Sequence, residues 1–152
     1  MELARPAGAA DRQACTRLLS QALVAAASMR GGAALVGDAT PVTLLERWSR
    51  PGSSTHLVVG EYEGVVVGLM AVAATEQTGR GQTGLVECCY VESGARGVGV
   101  GTALMDSAVE WCTGWGCSEM DALALPGDRT TKQRLEAAGF TARLLTLSRR
   151  LD

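Results

Sequence analysis

The chain has 152 residues, of which 47% are hydrophobic and 20% are charged. A chain of this length buries about 70% of the surface that its unfolded form exposes, so we expect one domain over residues 1–152. Fourteen basic and sixteen acidic side chains give a net charge of −2, and Lys132 is the only lysine. This balance excludes the basic stripe with which nucleic-acid-binding proteins neutralise a phosphate backbone.

The cysteine and histidine content indicates a reducing compartment and no metal. The five cysteines are an odd number, include the adjacent pair Cys88 and Cys89, and show no C-x-x-C spacing. We therefore expect no disulfide framework and predict a cytoplasmic protein. Because His56 is the only histidine, no zinc ligand set is recognisable. The longest apolar run, Gly64 to Ala74, is shorter than the roughly 20 residues of a membrane-spanning helix, so we predict no membrane partner.

In the first half of the chain, short helices give way to β-branched strands. Apolar residues from Cys15 to Ala26 recur at helical spacing, and Asp11 is the expected N-cap of that helix. The glycine-rich stretch from Met29 to Ala39 is expected to be a mobile connection. The other predicted elements are a strand at 2–5, a helix at 42–49, a turn at 51–54, strands at 55–61 and 65–75 joined at Glu63-Gly64, a loop at 76–82 and a strand at 85–91.

From Val100 onward the apolar period becomes helical. The residues of this helical stripe are Val100, Leu104, Ala108, Trp111 and Trp115. Gly114 and Gly116 are expected to end the helix. The remaining predictions are a buried strand at 121–125, a turn at 126–128, a helix near 130–138 with Gly139 as its left-handed cap, and a closing strand at 140–149. This order of elements indicates an α+β (mixed α/β) sheet with helices on its faces.

A glycine-rich turn follows the strand that ends at Val91 and leads into the helix that begins near Val100. Glycines at positions 97, 99 and 101 leave the backbone N–H groups unshielded, and the start of a helix carries partial positive charge. Arg96 adds a full positive charge beside them. Successive amides in this arrangement bind phosphate oxygens, so the sequence predicts a site for the pyrophosphate of a nucleotide-like cofactor.

The spacing of this turn excludes two common phosphate-binding motifs. A dinucleotide fingerprint would need glycine where Thr102 or Leu104 stands, and a phosphate loop would need a lysine, which this region lacks. What remains is the pattern Arg96-x-x-Gly99-x-Gly101, with Tyr90 and Val91 at the end of the preceding strand.

This pattern resembles the central motif of the GNAT superfamily of acyl-CoA-dependent N-acyltransferases, [Arg/Gln]-x-x-Gly-x-[Gly/Ala] between a strand and a helix. The downstream strand, the turn Pro126-Gly127-Asp128, and a helix that ends in Gly139-Phe140 resemble the second motif of the family. The resemblance covers residues 83–149 well and the first half only in the order of elements. It implies a central, mostly antiparallel twisted sheet with helices on both faces, in a single domain.

The resemblance also implies the cofactor and its binding residues. In the family, motif amides hold the pyrophosphate of coenzyme A, and backbone between two splayed strands holds the pantetheine arm. The amide of Val91 would then polarise the thioester carbonyl. The positions that these roles assign to acetyl-CoA are Tyr90, Val91, Arg96, Gly97, Val98, Gly99, Val100, Gly101 and Thr102.

The implied reaction is direct attack of a primary amine on the acetyl thioester. A lysine-type amine has a pKa of about 10.4, so its neutral form at pH 7 costs about 4.6 kcal/mol, and a base lowers that barrier. Glu87, four residues before Val91, is the candidate base, because family members often carry a glutamate there that takes the proton through water. The alternative is that Glu87 only faces solvent or pairs with an arginine.

The sequence departs from the family at two positions. Leu135 stands where many members carry the tyrosine that protonates the departing thiolate, so Tyr90 or a water would have to replace it. Asp128 replaces a frequent asparagine and is expected to cap the last helix. These changes keep open an alternative function, a non-catalytic acyl-CoA-binding or regulatory domain on the same scaffold.

Other conspicuous side chains receive structural interpretations. Cys88 and Cys89 lack a nearby histidine and are expected to pack as small apolar groups rather than carry an acyl group. His56 is expected at a strand end, Trp111 and Trp115 in the core, and Trp48 beside the acceptor pocket. The acceptor itself, a small-molecule or protein amine, is not specified by the sequence. A homodimer is expected by analogy with the family, and the thirteen arginines against one lysine suggest a bacterial origin.

Overall fold

The β-branched runs in the middle of the chain form three strands of a five-stranded sheet in the computed structural model, which describes residues 2–151. The strands are β1 (Glu2–Pro6), β2 (Thr55–Tyr62), β3 (Val65–Gln77), β4 (Gly81–Val91) and β5 (Glu119–Ala122). They lie side by side in the order β1-β2-β3-β4-β5. All neighbours are antiparallel except β4 and β5, which run parallel. The expected mixed α+β class and mostly antiparallel sheet are thus confirmed.

Five helices accompany the sheet, and local sequence sets where several of them begin and end. They are α1 (Arg12–Ala27), α2 (Gly32–Val36), α3 (Pro41–Trp48), α4 (Val100–Trp115) and α5 (Arg129–Ala137). Thr40 caps α3 by accepting a hydrogen bond from the Thr43 amide, and Pro41 occupies the first helical position. Gly116, with φ 93°, ends α4 in the left-handed conformation that glycine adopts without strain.

The helices cover both faces of the sheet, and a separate apolar core lies under each face. The α4-side core consists of Val58, Val67, Met70, Val72, Val86, Val91, Ala95, Val100, Leu104, Met105, Ala108 and Cys112. The α1/α3-side core consists of Cys15, Leu18, Leu19, Leu45, Trp48, Val59, Leu69 and Ala71. Neighbouring residues of β2 and β3 divide between the two cores because successive side chains of a strand point to opposite faces.

Two glycines let the first turn of α4 lie directly on the sheet. A Cβ added to Gly60 on β2 would be 2.5 Å from Cγ1 of Val100, and one added to Gly68 on β3 would be 3.2 Å from the same atom. The first of these distances is shorter than any van der Waals contact. The absence of side chains at these two positions therefore fixes how closely the helix start approaches the strands.

The prediction of a closing strand at 140–149 is wrong. The residues after Phe140 form no helix or strand, and 141–151 are exposed. Leu144, Leu145 and Leu147 are 75%, 81% and 90% exposed. The leucine-rich pattern has strand propensity, but propensity becomes a strand only where a neighbouring strand supplies hydrogen bonds, and β5 pairs with β4 alone.

Two further expectations are also corrected. The connection at 29–39 contains the short helix α2, because Gly31, with φ 79°, turns the chain back and α2 packs on α1. Trp115 is 46% exposed rather than in the core. It lies on the ring of Trp111, with 5.0 Å between the ring centroids, at the last turn of α4 where the helix leaves the sheet.

Asp11 stands at the predicted N-cap position of α1, but its carboxylate bonds elsewhere. It accepts hydrogen bonds from the Gly8 amide at 2.7 Å and from both Nη atoms of Arg5 at 2.7 and 2.9 Å. The Arg5 guanidinium, with the Gly8 amide, lowers the pKa of Asp11 to about 2. This partly buried ion pair ties the end of β1 to the start of α1.

Candidate functional site

The parallel strands β4 and β5 separate halfway along β4. They pair from Thr83 with Glu119 to Val86 with Ala122. Residues 87–91 of β4 continue without a partner on that side, while β3 still pairs on the other. The backbone of this stretch faces an opening between the two strands, and an extended ligand that enters it can pair with the strand edge. Glu87, Tyr90 and Val91, three of the predicted site residues, all lie along this opening.

The glycine-rich turn lies directly beyond the open end of β4. Gly97 and Gly99 have φ values of 84° and 94°, in the left-handed region that glycine favours. Gly99 is the N-cap residue of α4, and no side chain of residues 2–151 caps that helix start. The first amides of α4 therefore lack an internal acceptor, as helix-terminal N–H groups do unless a cap or a ligand supplies one. The anion site predicted here stays a prediction, and these uncapped amides are the observation that supports it.

Arg96 is turned back toward the strand. Its Nε donates to the Val91 carbonyl at 3.0 Å, and its guanidinium carbon lies 5.8 Å from the centroid of the Tyr90 ring. This hydrogen bond closes the turn between β4 and α4. The same side chain thus fixes the turn and keeps its positive charge at the end of β4.

Arg134 is a second cation at this turn that the sequence did not single out. A Cβ added to Gly101 would lie 3.4 Å from its Nη1. Its positive charge also opposes the rise that burial produces in the pKa of the Cys89 thiol. No carboxylate of residues 2–151 forms a salt bridge with it. In the sequence, the only signal for this role is the position of Arg134 in the last turn of α5. The contact itself could not be predicted, because it depends on how α5 packs against α4.

A β-bulge directs Glu87 toward α3. Ala71 of β3 pairs with Cys88 and Val72 pairs with Val86, so Glu87 is the extra residue of β4. Because of the bulge, Glu87 and Cys88 both point to the α1/α3 side, whereas strict alternation would separate them. The carboxylate lies at the beginning of the opening between β4 and β5.

Two side chains of α3 hold one oxygen of the Glu87 carboxylate. Trp48 Nε1 donates to Oε2 at 2.5 Å, and Arg47 Nη2 donates to the same oxygen at 2.9 Å. The alternative in which Glu87 pairs with an arginine is therefore observed, although the pair lies beside the opening. Trp48, expected beside an acceptor pocket, is only 3% exposed and reaches the site through its N–H.

Tyr90 points to the α1/α3 side of β4. Its hydroxyl donates to Oε1 of Gln21 on α1 at 3.1 Å. Glu92, the next acidic residue, pairs with Arg17 of the same helix. Leu135, at the position of the missing family tyrosine, packs against the α4-side core. Tyr90 and Leu135 therefore lie on opposite faces of the sheet.

The remaining candidates take structural roles. The pKa of Cys88 is raised to about 12, first by burial and then by the neighbouring Cys89 and Glu87, so its thiol is not a nucleophile near neutral pH. His56 is the second residue of β2, at the end of the sheet far from the glycine turn. Its ring stacks on Trp111 with 5.4 Å between centroids, and burial lowers its pKa. Asp128 caps α5, because its Oδ1 accepts from the Thr131 amide at 3.1 Å.

Residues 2–151 hold no group of three or more side chains that could bind a metal ion together. Within the same residues, no helix combines the length and the apolar character that a bilayer crossing requires.

One comparison with known proteins identifies a family. The model of the acetyltransferase (GNAT) family matches residues 34–140. No curated protein sequence matches the chain. Among solved structures, the chain is similar to glucosamine-6-phosphate N-acetyltransferase from Arabidopsis thaliana, with TM-score 0.72, 19% identity, and coverage of 100% of this chain and 99% of that one.

Two further structures are similar over nearly their full length. AAC(6')-Iy in complex with the bisubstrate analogue CoA-S-monomethyl-acetylneamine has TM-score 0.76 and 17% identity, with 99% of both chains covered. Ribosomal-protein-alanine N-acetyltransferase from Brucella melitensis biovar Abortus 2308 has TM-score 0.75 and 16% identity, with 99% of this chain and 100% of that chain covered. At these identities the similarity establishes the fold.

Proposed function

Because the chain belongs to the GNAT acetyltransferase family, we propose that it is an acetyl-CoA-dependent N-acetyltransferase that acetylates a primary amine of a small molecule or protein. One observation carries the proposal. The uncapped amides of the glycine turn and the Glu87 carboxylate lie at the two ends of the stretch of β4 that has no partner on the β5 side. A ligand that runs along this stretch touches both.

The turn suits the pyrophosphate of coenzyme A. Its first helical amides have no side-chain cap, and Arg134 and Arg96 place positive charge on either side of it. We propose that the residues that hold the pyrophosphate are Arg96, Gly97, Val98, Gly99, Val100, Gly101 and Thr102. The pantetheine arm would pair with the open edge of β4 at Tyr90 and Val91, where the Val91 amide donates to the thioester carbonyl.

Acetyl-CoA supplies an activated thioester, and the protein supplies the proton acceptor. Glu87 accepts the proton of the attacking amine, directly or through one water, as nitrogen bonds to the acetyl carbon. The departing thiolate needs little help, because a free thiol has a pKa of about 8.5. Tyr90 is the proposed proton donor among the side chains near the opening, and its hydrogen bond to Gln21 holds the phenol in place.

A coupled pair of measurements tests this function. Calorimetry with coenzyme A measures binding, and release of free thiol from acetyl-CoA, measured over a panel of small amines and peptides at pH 7 to 8, measures transfer. We expect both for the wild type, and for Glu87→Gln a rate that is about 100-fold lower with unchanged coenzyme A affinity. Absence of coenzyme A binding would refute the proposal.

The alternative, a non-catalytic acyl-CoA-binding domain, is favoured by Leu135, which packs into the core where many relatives place the acid. It predicts that coenzyme A raises the melting temperature with no thiol release on any amine. Acetylation of any amine at a rate that Glu87→Gln reduces would rule it out.

We also propose a cytoplasmic homodimer, from the cysteine content and the family. Size-exclusion chromatography with light scattering checks the oligomeric state, and a monomer at micromolar concentration would contradict it.

A further inference from the structure

The two oxygens of the Glu87 carboxylate have different surroundings. Trp48 and Arg47 both donate to Oε2, at 2.5 and 2.9 Å. No donor among residues 2–151 contacts Oε1, which is left for a ligand or water. Since both donors come from consecutive residues of α3, that helix decides which oxygen is occupied.

The two donors differ in how firmly they are held. Trp48 is 3% exposed and packs in the α1/α3-side core, so its indole is held by the side chains around it. The Arg47 side chain is 59% exposed and can move away when a ligand arrives. A buried indole N–H needs an acceptor, and Glu87 Oε2 is its partner here. The rigid member of the pair is therefore Trp48.

We propose that Trp48 is a positioning residue for Glu87, an inference that rests on the proposed acetyl transfer. The bulge of β4 brings the carboxylate to the α3 side, and the indole N–H then fixes its rotation by binding Oε2. Oε1 is thereby presented to the amine or to the water that relays its proton. Such alignment accelerates a reaction by holding the reacting groups in place before the substrate arrives.

Trp48→Phe tests this role, because phenylalanine keeps an aromatic ring in the core and removes the N–H. We expect kcat to fall about tenfold with the KM for acetyl-CoA within twofold of the wild-type value. Trp111→Phe is the matched control, since the Trp111 ring stacks on His56 and Trp115, and kcat should stay within twofold.

A double-mutant cycle separates positioning from general damage. If Trp48 acts through Glu87, adding Trp48→Phe to Glu87→Gln should lower kcat by less than twofold. The same tenfold loss in both backgrounds would overturn the proposal.

The hydrogen bond itself has a readout that does not need turnover. The three tryptophans give three indole N–H signals in a nitrogen-15 NMR spectrum, and the signal missing in Trp48→Phe belongs to Trp48. Glu87→Gln should shift that signal and leave the other two in place. An unmoved signal overturns the proposal even in an active enzyme. A shifted signal without turnover on any amine refutes the transferase function, and the positioning role with it, while the contact stands.

Discussion

The guanidinium of Arg134 lies flat over Gly101. A Cβ added to Gly101 would be 3.4, 3.5 and 3.6 Å from Nη1, Cζ and Nε of Arg134. A full positive charge from α5 therefore faces the first turn of α4, whose amides already carry partial positive charge. Two positive groups at this distance repel each other, and an anion bound beside both removes the repulsion.

Arg134→Gln should accordingly weaken coenzyme A binding about tenfold, since a charge-assisted hydrogen bond contributes about 1.5 to 3 kcal/mol. Calorimetry measures the effect. Lys132→Gln is the matched control, because it removes the same charge from an exposed position of α5 where Lys132 pairs only with Glu136. Equal losses in the two variants would mean that net charge matters and the position of Arg134 does not.

Alanine substitution should lower the stability of the protein at one glycine of the turn and leave it nearly unchanged at another. Gly99 has φ 94°, so Gly99→Ala strains the backbone by about 1–2 kcal/mol and misdirects the first amides of α4. Gly101 lies inside the helix, and its added methyl meets only the mobile end of Arg134. We expect thermal melting and calorimetry to show lower stability and weaker binding for Gly99→Ala, and near wild-type stability for Gly101→Ala. Similar behaviour of the two variants would contradict the assigned backbone geometry.

Much of the fold could be predicted from the sequence because its signals are local. The helical stripe from Val100, the turn at Glu63-Gly64 and the left-handed cap at Gly139 depend on residues that are neighbours in the chain, and each is found near its predicted position. The strand expected at 140–149 failed because a strand depends on a partner, and local pattern carries no information about which edges remain free.

The candidate site was predictable only in part for the same reason. The glycine turn is a local feature, so its place between β4 and α4 was expected, although the left-handed φ values of Gly97 and Gly99 were not predicted. The contacts of Glu87 with Trp48 and Arg47 span about forty positions of the chain. They also depend on a bulge in β4 that no spacing signalled. Arg134 reaches Gly101 only through the packing of two helices that are distant in sequence.

The Arg5–Asp11 pair should make the free energy of unfolding depend on pH in the acid range. The pKa of Asp11 in the folded protein is about 2, below the ordinary value, so the pair stabilises the fold fully above about pH 5. That contribution is lost progressively as the pH falls from 5 toward 2, through the pKa of Asp11 in the folded protein. In urea unfolding, the difference in free energy between the wild type and Asp11→Asn should shrink over this range. A difference that stays constant from pH 7 to pH 2.5 would contradict this.

Two thiols should be inert in the folded protein. Burial raises the pKa of Cys88 to about 12, and burial beside Cys117 raises the pKa of Cys112. At pH 8 both residues are then almost entirely in the thiol form, whereas iodoacetamide reacts with the thiolate. Mass mapping should find neither residue alkylated under conditions that label both in urea. Rapid labelling of Cys88 in the native state would reopen the covalent acyl-cysteine alternative.

Removal of the chain after Arg143 should cost little stability. Residues 144–151 are exposed, while Arg143 keeps its 2.9 Å contact with Asp121. We expect the truncated protein to melt within about 2 °C of the full chain. Phe140→Ala is the comparison, because Phe140 packs against the α4-side core and its loss should lower the melting temperature by about 4–8 °C. An equal drop on truncation would show that the leucines of this segment are packed in solution.

Gly60 and Gly68 let the sheet set the position of the glycine-rich turn. Because Val100 rests on bare backbone at both positions, the height of α4 above the strands is set by two missing side chains. A methyl group at Gly60 would clash with Val100 and push the start of α4 away from the sheet. The uncapped amides of α4 would then move away from the opening between β4 and β5. If the proposed site binds coenzyme A, its affinity should therefore depend on Gly60, which lies on β2, two strands away from β4.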